Sequence, residues 1–178
     1  MFTLEYKIPK ETRENLNSWN LEEFEEEIGE VEGQIKLDFN GKSYGYIDEG
    51  DSLFYNKFLI IWFSRLNECC NVLKTSNYVC FDMPETNNLW LEMNVRGDDI
   101  YIQRAKLLRE SITCYVADTP LEDLEYFDWK NTVIKKSEFI SKIEIVTEQF
   151  ISEIYDLNSE LLNSIAFNKL LKMCNYRI

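Results

Sequence analysis

The sequence contains no histidine, and this absence removes several kinds of catalytic site at once. Histidine is the commonest general base, the usual partner of a serine or cysteine nucleophile, and a ligand in most catalytic zinc sites. Glycine is also scarce, and no phosphate-binding loop, dinucleotide-binding motif or G-x-S-x-G motif occurs. Paired carboxylates could still act as acid and base, but no such pair stands in a recognisable motif. We predict a protein that is not an enzyme and binds no cofactor.

The cysteines give no indication of a metal centre. No two of them have the C-x-x-C spacing, and without histidine a zinc site would need four thiolates from scattered positions. An odd number of cysteines is typical of a reducing compartment, where buried thiols are inert. We therefore predict no metal, and free thiols at the five positions Cys69, Cys70, Cys80, Cys114 and Cys174.

Long hydrophobic runs are absent as well. The longest apolar stretch, Phe58 to Phe63, has 6 residues, whereas a membrane-spanning helix needs about 20. The first residues, MFTLEYKIPKE, contain acids and no apolar run, which is unlike a signal peptide. The expected location is the cytoplasm, with no membrane partner.

Basic residues are outnumbered, with 19 Lys and Arg against 32 Asp and Glu, so the net charge is −13. Affinity for nucleic acid comes from bases that neutralise phosphates, so direct binding to nucleic acid is not expected. The excess is uneven: residues 1–52 carry a net charge of −9 and residues 53–178 a net charge of −4. Most of it comes from one segment.

That acidic segment covers residues 21–32 and holds seven glutamates. Leu21, Phe24, Ile28 and Val31 interrupt it at spacings of 3, 4 and 3, which predicts one side anchored in a core and carboxylates projecting outward. Two interpretations stay open. The segment is either a solvated acidic face that aids solubility or an electrostatic surface for a basic partner.

Two hairpins are indicated by alternating patterns around tight turns. Residues 35–39 alternate before Asn40-Gly41, which places Leu37 opposite Tyr44 and Ile35 opposite Tyr46. Residues 89–95 alternate before Gly97-Asp98, which places Val95 opposite Ile100 and Met93 opposite Ile102. A further strand is predicted at 78–83 and another at 111–116, and a central helix is predicted at about 53–74 with Trp62 in the core.

The C-terminal part, 137–173, reads as helical. Ser137 is the predicted N-cap of a helix to about residue 157, and a break at Asn158-Ser159 precedes a second helix from about Ser159 to Met173. No repeat or linker divides the chain. The prediction is a single α+β domain over 1–178, with a mostly antiparallel sheet built from hairpins and packed against the central and C-terminal helices.

Protein binding is the function that these features favour most. A cationic protein would be steered onto the acidic segment, and aromatic side chains would supply the apolar anchors that charges alone do not provide. The aromatic residues that could act as such anchors are Trp19, Phe24, Tyr44, Tyr46, Trp90 and Trp129. The candidate partner-binding residues are Glu22, Glu23, Glu25, Glu26, Glu27, Glu30, Glu32, Tyr44, Tyr46, Asp98, Asp99 and Trp129.

The order of features resembles that of bacterial immunity proteins, which neutralise secreted polymorphic toxins, including those of contact-dependent growth inhibition. The resemblance lies in Ile28–Gly33 leading into Ile35–Asn40, in Gly41–Gly45, in the Trp62 helix, in Asn88–Glu92 and in Lys136–Ile140, and it covers the layout of residues 28–157. It implies a cytoplasmic, non-catalytic inhibitor that binds one cognate toxin. Many of the toxins that such proteins neutralise are nucleases acting on tRNA or DNA.

Two other functions stay open. The first alternative is an acidic mimic of nucleic acid that regulates a DNA-binding protein, with carboxylates in place of phosphates. The more distant one is a carboxylate-dependent hydrolase.

Overall fold

The fold is described from a computed structural model of the chain, which covers residues 1–50, 56–108, 114–127, 129 and 132–174. Helices and antiparallel strands combine in an α+β fold, as predicted. The α-helices are α1 (Lys10–Ser18), α2 (Leu21–Glu27), α3 (Leu59–Thr75), α4 (Lys136–Asn158) and α5 (Ile165–Cys174). The strands are β1 (Phe2–Lys7), β2 (Glu32–Phe39), β3 (Lys42–Gly45), β4 (Lys57–Phe58), β5 (Tyr78–Asp82), β6 (Leu89–Arg96), β7 (Asp99–Leu107), β8 (Val116–Ala117), β9 (Leu124–Tyr126) and β10 (Thr132–Lys135).

The first sheet is built around β2, which pairs with β1, β3 and β4. The predicted hairpin is confirmed, because Leu37 lies opposite Tyr44 and the Tyr46 amide donates to the Ile35 carbonyl over 3.1 Å. Asn40 and Gly41 both adopt positive φ, as a two-residue turn of this type requires. The strand β1 and the helix α1 are additions to the predicted elements.

The second sheet has the strand order β10-β7-β6-β5-β8, with β9 paired to β7. The second predicted hairpin is confirmed in its register, with Val95 opposite Ile100 and Met93 opposite Ile102. Of the strand predicted at 111–116, residues 111–113 lie outside the described residues, and β8 begins only at Val116.

The central helix begins later than predicted. Residues 53–55 of the predicted span lie outside the described residues, and Lys57–Phe58 form β4, which pairs with Glu32 and Gly33. The extended strand Lys57–Phe58 therefore directly precedes α3, which begins at Leu59. Trp62 is fully buried, as predicted.

The C-terminal helices differ from the prediction at two points. Ser137 is not the N-cap of α4 but lies in its first turn, where its amide and hydroxyl both donate to the Asp98 carboxylate over 2.9 Å. The second helix does not begin at Ser159, because residues 159–163 form a 3-10 turn and the extended backbone of Ser164 ends that turn before α5.

One hydrophobic core joins the two sheets through the helices. The helix α3 contacts β2 and β5, while α4 contacts β1 and β10, so each helix packs against both sheets. Tyr78, Cys80, Trp90 and Leu107 form a smaller buried cluster on the other face of the second sheet. Within the described part of the chain, no helix is both long and apolar enough to cross a membrane.

Candidate partner-binding face

The acidic segment is only partly helical, and its local structure explains why α2 is short. The Asn20 side chain accepts from the Glu23 amide over 3.0 Å, and the Glu23 carboxylate accepts from the Asn20 amide over 2.9 Å, forming a capping box. The helix ends at Glu27. Ile28, predicted as an anchor, is 45% exposed, because the backbone leaves helical geometry at this residue and the helical spacing no longer places it toward the core.

Burial of Phe24 fixes the orientation of α2. The Phe24 ring packs at 6.3 Å from that of Phe167 in α5 and at 6.4 Å from that of Trp19. On the same side, the Glu25 carboxylate accepts from the Ile165 amide at the start of α5 over 2.9 Å. These contacts hold α2 beside the first turn of α5.

The seven glutamates of the segment therefore divide into different roles. Glu23 caps its own helix, Glu25 caps α5, and Glu32 opens β2. In the described part of the chain, no hydrogen bond or ion pair engages the three remaining side chains of α2, which are exposed. These are Glu22, Glu26 and Glu27.

Glu30 differs from the exposed glutamates of α2 because most of its side chain is withdrawn from solvent. Its carboxylate accepts from the Ile60 amide over 3.1 Å, at the start of α3, where the N-cap residue Phe58 provides no side-chain cap. Burial raises the pKa of Glu30 to about 8, and the nearby Glu85 carboxylate acts in the same direction. Hydrogen bonds from backbone amides, including that of Ile60, act in the opposite direction without offsetting burial.

A cavity of about 250 Å³ opens beside Glu30, between the end of α2, the first turns of α3 and the start of α5. Its walls are mostly apolar. Ile28 and the 80% exposed Ile165 are chain neighbours of lining residues, so apolar surface continues next to the cavity. The lining residues are Gly29, Glu30, Phe58, Ile60, Ile61, Ser64, Ala166 and Lys169.

The predicted aromatic contacts lie in different environments. Tyr44 is half-buried, with its ring 5.3 Å from that of Trp62, and burial raises its pKa. Tyr46 is 52% exposed. Trp129 is only 3% exposed and lies 5.5 Å from the ring of Phe39, so it belongs to the core and is withdrawn from the candidate contact residues.

Asp98 and Asp99 lie at the turn between β6 and β7 and have structural partners there. Ser137, in the first turn of α4, donates two hydrogen bonds to the Asp98 carboxylate, and these bonds lower the pKa of Asp98. The same two bonds tie the start of α4 to this turn. Asp99 forms an ion pair with Lys135. None of the hydrogen bonds, ion pairs or ring contacts between described residues joins this turn to α2.

The comparisons with known proteins add no identification. Neither a family model, nor a curated protein, nor a solved structure matches this chain.

Burial limits the reactivity of two of the described cysteines. Burial raises the pKa of Cys80 to about 12 and that of Cys174 to about 11, so both remain thiols at neutral pH. Within the same residues, no group of three or more cysteine and acidic side chains is placed to hold a metal ion. The buried Glu92 accepts from the Tyr78 hydroxyl over 3.1 Å, in the smaller cluster away from the cavity.

The sequence analysis located the acidic segment but missed the cavity beside it. The run Phe58–Phe63 was visible as a hydrophobic segment, yet nothing in its pattern shows that Phe58 and Ile61 line a cavity while Trp62 is buried. The burial of Glu30 was equally hidden, because its partner amide is 30 residues away.

Proposed function

We propose that this protein is an immunity-type inhibitor that binds a cognate basic toxin domain, a nuclease acting on tRNA or DNA, and blocks it stoichiometrically. The observation that carries the proposal is that α2 exposes the carboxylates of Glu22, Glu26 and Glu27, and that the residues directly after this helix line a cavity with apolar walls. An electrostatic surface beside an apolar one is the combination that protein–protein recognition uses.

The two parts of this face have different physical roles. Exposed charges of one sign accelerate encounter with an oppositely charged protein, and salt screens that attraction over about 10 Å at 0.1 M. Apolar contacts, buried after encounter, slow dissociation and provide most of the affinity. An inhibitor that must capture a toxin quickly and retain it needs both.

The decisive experiment is co-expression with the C-terminal domain of a secreted toxin, sought in the reading frames that neighbour this gene, with surviving colonies counted. Restored growth and a one-to-one complex in solution are expected. If the chain neither rescues growth nor co-purifies with that domain, the proposal is wrong. Inhibition of several unrelated DNA-binding proteins would instead indicate the nucleic-acid mimic.

A charge-reversal variant tests which face is used. Changing Glu22, Glu26 and Glu27 to Lys is expected to lower the association rate constant about tenfold at low salt, with the difference shrinking as salt is added. The matched control reverses three exposed acids elsewhere, at Glu122, Glu125 and Glu148, and changes the net charge equally. Equal slowing in both variants would mean that net charge, not the α2 face, steers the partner.

A further inference from the structure

The cavity beside α2 is large enough to receive a single side chain. Its volume of about 250 Å³ exceeds the roughly 150 Å³ that accommodates benzene in an engineered protein cavity, and it is below the roughly 300 Å³ at which small-molecule pockets begin. A cofactor or nucleotide would not be enclosed by it. One leucine, methionine or phenylalanine side chain would fit inside it.

The lining favours an apolar occupant over a charged one. Phe58, Ile60, Ile61 and Ala166 provide carbon surface, and the positive end of the α3 dipole opposes a cation. The Glu30 side chain accepts hydrogen bonds from backbone amides, while the rim holds the exposed ammonium of Lys169. A buried lysine or arginine head group would find no unoccupied counter-ion here.

The surroundings indicate what kind of surface carries that side chain. Ile28 and Ile165, the chain neighbours of the lining residues Gly29 and Ala166, are both exposed and add apolar surface to this region. The exposed carboxylates of α2 precede Ile28 directly in the chain, and Glu25 ties α2 to the first residue of α5. A complementary surface therefore has an apolar projection with basic residues beside it.

We propose that this cavity is an anchor site that receives one apolar or aromatic side chain from the basic partner, flanked by lysines or arginines that face α2. The proposal rests on the proposed function for the identity of the partner, but the chemistry of recognition can be tested without it. A desolvated apolar anchor surrounded by charge pairs is the usual arrangement of an interface hot spot.

Three blocked pentapeptides serve as probes: Lys-Lys-Phe-Lys-Lys, Lys-Lys-Ala-Lys-Lys and Lys-Lys-Lys-Lys-Lys. Titration is followed by NMR chemical shifts of the wild-type chain at low salt. The phenylalanine peptide is expected to bind at least about tenfold more tightly than the alanine peptide, because it alone buries a large apolar side chain. It should also perturb the methyl groups of Ile60, Ile61 and Ala166 most strongly.

A variant that fills the cavity provides the second test. Ala166→Phe is expected to abolish the preference for the phenylalanine peptide, while the control Asn168→Phe, at an exposed position of the same helix outside the lining, should retain it. Equal affinity for all three peptides, no perturbation of the lining methyl groups, or a preference that survives in Ala166→Phe would each overturn the anchor site.

The two proposals fail in distinguishable ways. If the chain rescues growth from the toxin but shows no peptide preference, the anchor site is wrong and the inhibitor function stands. If the peptide preference is found but no toxin is neutralised, the anchor site stands and its partner is a different basic protein.

Discussion

Replacing Glu30 by glutamine is expected to remove a pH dependence of stability that this buried carboxyl creates. Its pKa of about 8 in the folded chain lies above the ordinary value of 4.5. Between these two values the folded state holds a proton that the unfolded state has lost. The free energy of unfolding therefore falls as the pH rises across that interval.

The magnitude follows from the two pKa values. Each unit of difference corresponds to about 1.4 kcal/mol, so between about pH 5 and pH 7.5 the wild-type chain should lose about 3 kcal/mol of stability through Glu30. A glutamine carries no titrating group and can still accept the hydrogen bond from the Ile60 amide. Relative to wild type, Glu30→Gln should thus gain about 3 kcal/mol over the same interval.

The lack of histidine makes this measurement unusually direct, because no other side-chain type ordinarily titrates in the middle of that range. Terms common to both chains, such as the amino terminus, cancel in the difference between them. Urea unfolding followed by tryptophan fluorescence at several pH values gives the two curves. Low protein concentration is needed near pH 5, because the sequence pI is about 4.5.

The opposite outcome would refute the reasoning about burial. If the wild-type stability is flat over this range, or if Glu30→Gln becomes relatively less stable as the pH rises, then Glu30 is ionised in the folded chain. In that case the hydrogen bonds from the amides at the start of α3 would lower the pKa of Glu30 by more than desolvation raises it, and the cavity would have a negatively charged wall.

Three further substitutions test the fold by urea unfolding. Gly45→Ala should lower the free energy of unfolding by about 3 kcal/mol, because φ is +79° and the added Cβ would collide with a backbone carbonyl. The control Gly41→Ala has a similar φ of +88° but open space around the Cβ, so it should lower stability by only about 1 kcal/mol. Equal losses in the two variants would contradict the collision. Trp129→Ala should cost about 3–5 kcal/mol by leaving a core cavity. If that variant keeps its stability but loses partner binding, Trp129 returns to the contact face. Asn158→Ala should cost about 2 kcal/mol, because its amide donates to two backbone carbonyls near the end of α1, and a loss below 0.5 kcal/mol would contradict that role.

The elements that the sequence predicted well are those specified by local pattern. Alternation and the Asn40-Gly41 and Gly97-Asp98 turns were sufficient for the registers of both hairpins, because side-chain direction in a strand repeats every two residues. The helix from Lys136 to Asn158 was equally visible, since its apolar positions follow helical spacing over six turns.

The errors occurred where a distant partner overrides local preference. Ser137 looked like an N-cap, but Asp98, 39 residues away, supplies the acceptor at that end of α4. The start of α3 is delayed because Lys57–Phe58 pair with β2. Glu25 and Glu30 looked like two more surface charges, yet each accepts from the start of a different helix.

By itself, then, the sequence determined the fold class, the two hairpins, the long C-terminal helix and the concentration of negative charge in residues 21–32, because short-range periodicity and composition encode each of these. Only the tertiary structure decided which carboxylates stay exposed, which become internal caps, and that an apolar cavity opens beside them. Those outcomes depend on contacts between residues 30 to 140 positions apart, and no local pattern records which backbone amide a side chain will meet.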